Sequence, residues 1–178
     1  MFELLPDPRR YCRFTVSGGA NDGFYRQFDG RSLAETWKSI EIAAADEPDP
    51  QADLADFSLL GTEPVLSDRA VEVLADLLKR SGEVLPLRYA RTGYVLFNVT
   101  RVLDALDEGR SVLRRFPTGR VMAIQSYVFR QEVVESYPIF KITQFPRAYV
   151  FVTEEFVTRV HDAGLTGFSP KLLWEGEP

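Results

Sequence analysis

Few side chains in this sequence have the types and spacing that chemistry needs. Cys12 is the single cysteine and His161 the single histidine, so a nucleophile and base pair would have to be assembled across almost the whole chain, with no local element to orient it. One cysteine excludes an intramolecular disulfide and any multi-thiolate zinc site within the chain, and one histidine removes most imidazole-based metal sites and proton relays. Cys12 reads as a buried or half-buried strand residue. His161 lies three residues before Gly164, where an imidazolium near a helix C-terminus interacts with the last carbonyls, a structural role. The remaining pair is Asp104 and Asp107. If 100–107 is helical, the two carboxylates stand one turn apart, and paired carboxylates carry acid and base work in glycosidases. A small hydrolase using Asp104/Asp107 is the alternative reading this pair supports. There is no G-x-G-x-x-G fingerprint, G-x-x-x-x-G-K-[ST] phosphate loop, H-E-x-x-H helix or G-x-S-x-G elbow. No cofactor, metal or catalytic residue is expected.

The charge is more informative. The chain of 178 residues carries a formal net charge of −5, and between Glu41 and Glu63 it holds seven acidic residues and no basic one. Taking these seven from the 26 acidic residues leaves 19 against 21 basic ones, so the remainder is slightly positive. Pro48 and Pro50 keep their neighbours out of the helical region, and the segment reads as an exposed loop. Asp46, Glu47, Asp49, Asp53 and Asp56 are the carboxylates it offers to a partner. Arg110, Arg114, Arg115 and Arg120 cluster beside Phe116, but Asp107 and Glu108 supply ion-pair partners and no nucleic-acid motif is present. A solvated turn is expected there, without direct nucleic-acid binding. No apolar run approaches the roughly 18 to 20 residues of a membrane span, and the N-terminus lacks the features of a signal peptide. A cytoplasmic protein without a membrane partner is expected.

The elements that must position these residues follow from periodicity. Segments 11–17 and 37–44 read as strands, with Asp22-Gly23 and Asp29-Gly30 as turn signals for a short hairpin between them. A helix is predicted from Ser67 as N-cap to Gly82, with Ala70, Val71, Val73, Leu74, Leu77 and Leu78 on its apolar side. Strands are predicted at 83–89 and 93–99, and a short helix over 100–107 capped by Thr100. Strands follow at 121–129, 138–143 and 147–153. A last helix begins near Thr153, carries Phe156, Val157 and Val160, and stops at Gly164; 171–174 is a terminal strand. Strands in groups rather than alternating with helices predict an α+β domain, mostly antiparallel, with a few covering helices. A single domain over 1–178 is expected, with strands and the acidic loop in 1–63.

From Pro64 onward the order and spacing of several segments resemble the immunity protein eleven family, formerly a domain of unknown function. The segments are EPVLSDRAVEVLADLL, EVLPLRYARTGYVLFNVTRVLDALDEGRS and PIFKITQFPRAYVFVTEEFVTRVHDAGLTGFSPKLLW. The landmarks are Pro64, Leu85-Pro86-Leu87, Tyr94, Asn98-Val99, Asp104, Asp107, Ser111, Ile139-Phe140-Lys141, Phe156, Gly164, Gly167 and Trp174. The resemblance implies an antitoxin of a bacterial polymorphic toxin system that binds its toxin, encoded by an adjacent gene, and performs no chemistry. Pro64, Tyr94 and Phe140 suit turns and core packing rather than an interface. If the toxin has a basic cleft, the acidic segment would steer association to it.

Overall fold

The computed structural model describes residues 1–7, 11, 13–20, 23–44, 54–89 and 93–176. In chain order the strands and helices are β1 (Phe2–Glu3), β2 (Phe14–Val16), β3 (Ile40–Ala44), β4 (Phe57–Leu60), β5 (Glu63–Ser67), α1 (Asp68–Ser81), β6 (Gly82–Arg88) and β7 (Tyr94–Val99). The second half adds β8 (Val102–Leu103), β9 (Val112–Arg115), β10 (Val121–Ser126), α2 (Gln131–Val134), β11 (Ile139–Ile142), β12 (Phe151–Val152), α3 (Glu154–Asp162) and β13 (Lys171–Leu172). The class is α+β, and most strand pairs are antiparallel.

Six strands close into a barrel in the order β2-β3-β6-β7-β5-β4, with parallel pairing only at β3–β6 and β2–β4. Alternation along the strands sends Phe14, Ile42, Leu60, Val65, Leu85 and Leu96 inward, where they form one core with Phe28, Leu33 and Tyr94. A barrel this narrow is filled by its own side chains. Leu66, Phe97 and Val99 face outward and meet α1. The helix has the predicted cause: Ala70, Leu74, Leu77 and Leu78 form its buried stripe, and the Ser67 hydroxyl accepts the Ala70 N–H at 3.1 Å. Gly82 follows at once as the first residue of β6. Its backbone is extended, and glycine is needed for space, since a Cβ would stand 2.2 Å from the Asn98 carbonyl oxygen.

The second sheet has the order β13-β1-β12-β11-β8. Ile139 and Val152 are cross-strand partners on the face turned to α1 and α3, whereas Phe140 and Phe151 pair on the opposite face. That opposite face is covered by Ala105, Phe129 and Val134, with Tyr127 and Trp174 beside them. The helix α1 thus lies between barrel and sheet, touching both. A third, two-stranded sheet of β9 and β10 pairs with neither.

Three local expectations are corrected. Residues 100–107 are not a helix: β8 pairs in parallel with β11, and the Arg101 and Leu103 carbonyls accept the N–H groups of Lys141 at 2.8 Å and Thr143 at 3.1 Å. Sheet pairing supplies partners that the local helical pattern could only offer within its own turn. No hairpin lies between β2 and β3 among the described residues. Gly30 takes a φ of 98°, but the segment forms a single 3₁₀ turn at Tyr25–Gln27, and Phe24, Phe28 and Trp37 pack together against the barrel core. The strand predicted over 121–129 ends at Ser126, and Tyr127 and Phe129 turn into the aromatic cluster beneath the second sheet.

Candidate functional site

The acidic residues Asp46, Glu47, Asp49 and Asp53, and Cys12, lie outside the described residues. Asp56 is described, and it departs from the exposed position expected of it. Its side chain is nearly buried, with Oδ1 accepting from the Ser67 hydroxyl at 2.7 Å. Oδ2 accepts from the Thr166 N–H at 2.9 Å, the Thr166 hydroxyl at 3.0 Å and the Arg69 guanidinium at 3.0 Å. Burial disfavours its charge, but these hydrogen bonds and Arg69 outweigh that and hold the carboxyl below the usual range. Arg69 also donates to the Ala163 carbonyl at 2.6 Å. Asp56 therefore ties the start of α1 to the segment that follows α3, and its carboxylate is nearly buried rather than presented to a partner. Gly167 shares this joint: at φ 86° it passes so close that a Cβ would lie 2.3 Å from the Phe57 carbonyl oxygen.

The most deeply placed polar pair is Glu63 with Lys141, both fully buried. The Lys141 ammonium donates to Glu63 Oε1 at 2.8 Å, to Oε2 at 2.9 Å and to the Phe28 carbonyl at 3.0 Å. All three of its protons are used. Burial pushes the Glu63 carboxyl up, opposed by the ammonium and by the Thr62 hydroxyl at 3.1 Å. Lys141 comes from β11, Glu63 from β5 and Phe28 from the segment plugging the barrel, so one ammonium joins three parts of the molecule. A third polar joint centres on Glu83. It accepts from the Leu33 N–H, from the Ser32 hydroxyl at 2.7 Å and from Asn98 Nδ2 at 2.8 Å. Burial works against its charge, but these donors prevail and hold it low.

The carboxylates of the hydrolase alternative are each committed elsewhere. Asp104 is an exposed partner of Arg130 at 3.0 Å, and Asp107 Oδ1 accepts the Gly109 and Arg110 N–H groups at 3.0 and 3.2 Å, closing a turn. With no helix beneath them, nothing aims the two at one point. His161 is exposed, with Nδ1 3.4 Å from Asp162 Oδ1. Arg114, Arg115 and Arg120 belong to the β9–β10 hairpin. Arg115 binds Glu108 at 2.5 Å and the Gly119 carbonyl at 2.9 Å, the ion pairing that the cluster's neighbours suggest. Arg120 lies over the Phe116 ring, 5.2 Å from its centre.

These joints set the frame for the comparison with known families. Residues 90–172 match the Immunity protein family (Imm11). The matched stretch runs from the start of β7 to β13, just under half of the chain, and begins later than the resemblance noted from Pro64. No curated protein matches the chain. Within and beside the stretch, the landmark residues do structural work. The Tyr94 hydroxyl donates to the Ala55 carbonyl at 2.7 Å, Asn98 holds Glu83 and the Arg31 carbonyl, and the Ser111 hydroxyl accepts the Val128 N–H at 3.0 Å. Phe140 and Phe156 are core, and Gly164 takes the left-handed conformation that ends α3, at φ 59°. Among the described residues no helix is long and apolar enough to cross a membrane, and no three His, Cys, Asp or Glu side chains gather as a metal site.

Sequence reasoning missed the Glu63–Lys141 pair. Its signal was present: a lysine inside the otherwise apolar run Ile139–Ile142 is either an edge residue or a buried cation with a partner.

Proposed function

We propose that this chain is an immunity protein that neutralises a cognate toxin by stoichiometric binding and catalyses no reaction. The match of residues 90–172 to the immunity family carries the reading. It is supported by the carboxylates of Asp56, Glu63 and Glu83, each of which is engaged in hydrogen bonds that hold the fold. The toxin is encoded beside this gene, and the complex forms in the cytoplasm. The whole of 1–178 acts as one unit, because Glu63 and Lys141 join the part before the matched stretch to the part within it.

The acidic segment steers association. Asp46, Glu47, Asp49 and Asp53 contribute a local negative field to a chain whose remainder is nearly balanced, with 22 acidic against 21 basic residues, and such a field raises the on-rate toward a basic cleft. Asp56 is left out of this surface, because its carboxylate is spent inside the fold. Two measurements test the proposal. Coexpression with the adjacent toxin restores growth, and the two proteins copurify in a fixed ratio; growth arrest despite a soluble, folded chain refutes it. Replacing the four acidic residues with Asn or Gln lowers the association rate by about tenfold at low salt and flattens its salt dependence. An unchanged rate removes the segment from the interface.

A further inference from the structure

The β9–β10 hairpin is the one sheet of the described residues that joins neither the barrel nor the second sheet, yet its tip is carefully built. Phe116 donates its N–H to the Arg120 carbonyl and Gly119 to the Phe116 carbonyl, both at 2.9 Å. Arg115 reaches across to the Gly119 carbonyl, and Gly119 holds φ at 82°. Two register shifts, beside Met122 and Gln125, twist the hairpin, as bulges do where a strand re-aims its side chains. Of the six large apolar side chains exposed among the described residues, Val112, Phe116 and Met122 are on this hairpin and Tyr149 follows the turn facing it. Phe116 and Met122 also line one cleft, and exposed apolar side chains that adjoin mark interaction sites, whereas single ones do not.

Between the tip and the turn at 144–148 lies a cleft of about 400 Å³. Phe116, Val121, Met122, Phe145 and Pro146 give it apolar walls, Arg120 and Arg147 stand in its lining, and no carboxylate lines it. Arginine, aromatic and methionine side chains around a small apolar depression are the composition of a protein-binding hot spot. Arg147 also reaches Asp29 at 3.4 Å, so Arg120, with no acid in the lining, is the guanidinium best placed to complement a carboxylate on the incoming surface. A nucleic acid fits less well. One face of the Phe116 ring is already covered by Arg120, and the other walls are mostly aliphatic, which leaves little aromatic surface on which bases could stack.

We propose that this cleft is the docking surface for the toxin, seating an apolar side chain flanked by carboxylates on an acidic patch of that protein. The proposal rests on the immunity reading and names its contact face, which lies within the stretch that matches the family. It also divides the labour: the acidic segment guides approach and the hairpin holds.

The test uses the full chain and a catalytically inactivated effector domain of the adjacent toxin, with affinity and dissociation rate measured at physiological salt. Met122→Glu and Arg120→Glu, both at exposed positions, each weaken binding at least about tenfold, mainly through faster dissociation. Their circular dichroism and melting temperature stay at the wild-type values, and Phe116→Ser gives a third variant should either of these unfold. A Glu→Arg or Asp→Arg change on the toxin's acidic patch restores binding to Arg120→Glu. The same proteins are titrated with a labelled single-stranded RNA, and no saturable binding is expected. Folded variants that bind toxin within about twofold of wild type overturn the surface while leaving the immunity reading intact. RNA binding that Arg120→Glu abolishes, with toxin binding unaffected, also overturns it. Failure of the wild-type chain to bind or neutralise the toxin refutes the immunity reading and takes this surface with it.

Discussion

Two carboxylate–cation pairs in this molecule use the same chemistry to opposite ends. Glu63 and Lys141 meet at 2.8 Å with both side chains fully buried. Glu108 and Arg115 meet at 2.5 Å beside the tip of the hairpin with 38% and 41% of their side chains exposed. For the buried pair, desolvation of two ions has already been incurred, so everything depends on complete pairing; the ammonium uses all three protons. For the exposed pair, water competes at every point, and the bond organises the tip without holding the fold. The first region locks barrel to sheet, and the second keeps an apolar, cationic surface available. Distance does not distinguish them; environment does.

The comparison breaks most readily from the inside. Lys141→Met leaves Glu63 buried without its cation and lowers stability by about 3–5 kcal/mol in urea unfolding. That deficit shrinks on acidification. Burial already raises the Glu63 carboxyl above its ordinary value, and without the ammonium it rises further. The folded variant then takes up the proton at a higher pH than the unfolded chain does, and protonation relieves it. A deficit that does not change with pH would show that Glu63 is not left charged. Adding Glu63→Leu to Lys141→Met recovers much of the loss, because two apolar side chains remove both unpaired groups.

Asp56→Ala comes next, at about 2–3 kcal/mol, since Ser67, Thr166 and Arg69 lose a common acceptor at the meeting of α1 and α3. A loss below about 0.5 kcal/mol would return Asp56 to the status of a surface residue. A smaller effect shows in acid. The Asp29 carboxyl is drawn down to about 2, chiefly by its hydrogen bond from Arg31. Its contribution is complete above the ordinary carboxylate range and vanishes as pH falls through that low value, so Asp29→Asn lowers stability modestly at pH 7, flattens the stability curve between about pH 4 and 2, and differs little from wild type below about pH 2. Glu108→Gln on the hairpin has the least effect, within about 0.5 kcal/mol. A larger loss would mean that the hairpin belongs to the folding unit more than its isolated pairing implies.

Legibility from sequence followed the range of the interaction. The helix α1 and its Ser67 cap were readable because the apolar stripe and the capping hydroxyl lie within a few residues of one another. The pairing of β6 with β7 was readable for the same reason, as two apolar runs separated by a short connection. The segment 100–107 misled because Thr100 followed by spaced apolar residues satisfies a local helical pattern, whereas the hydrogen bonds that decide its conformation come from β11, about forty residues away. The candidate site divided similarly. The acidic concentration between Glu41 and Glu63 is visible in one reading of the chain, yet its last two carboxylates, Asp56 and Glu63, turn inward to meet Thr166 and Lys141. Charge counts do not distinguish a residue facing water from one facing a distant partner.

By itself the sequence determined the α+β class, the scarcity of groups fit for catalysis, the sign and place of the charge and the resemblance to an immunity family, because composition, period and spacing along the chain carry these. Only the tertiary structure decided that six strands close into a barrel, that Lys141 belongs to Glu63, and that Phe116, Met122 and Arg120 stand around one cleft. Those arrangements depend on which segments meet across the fold. A buried charge or an exposed apolar side chain acquires its meaning from the neighbours it meets there.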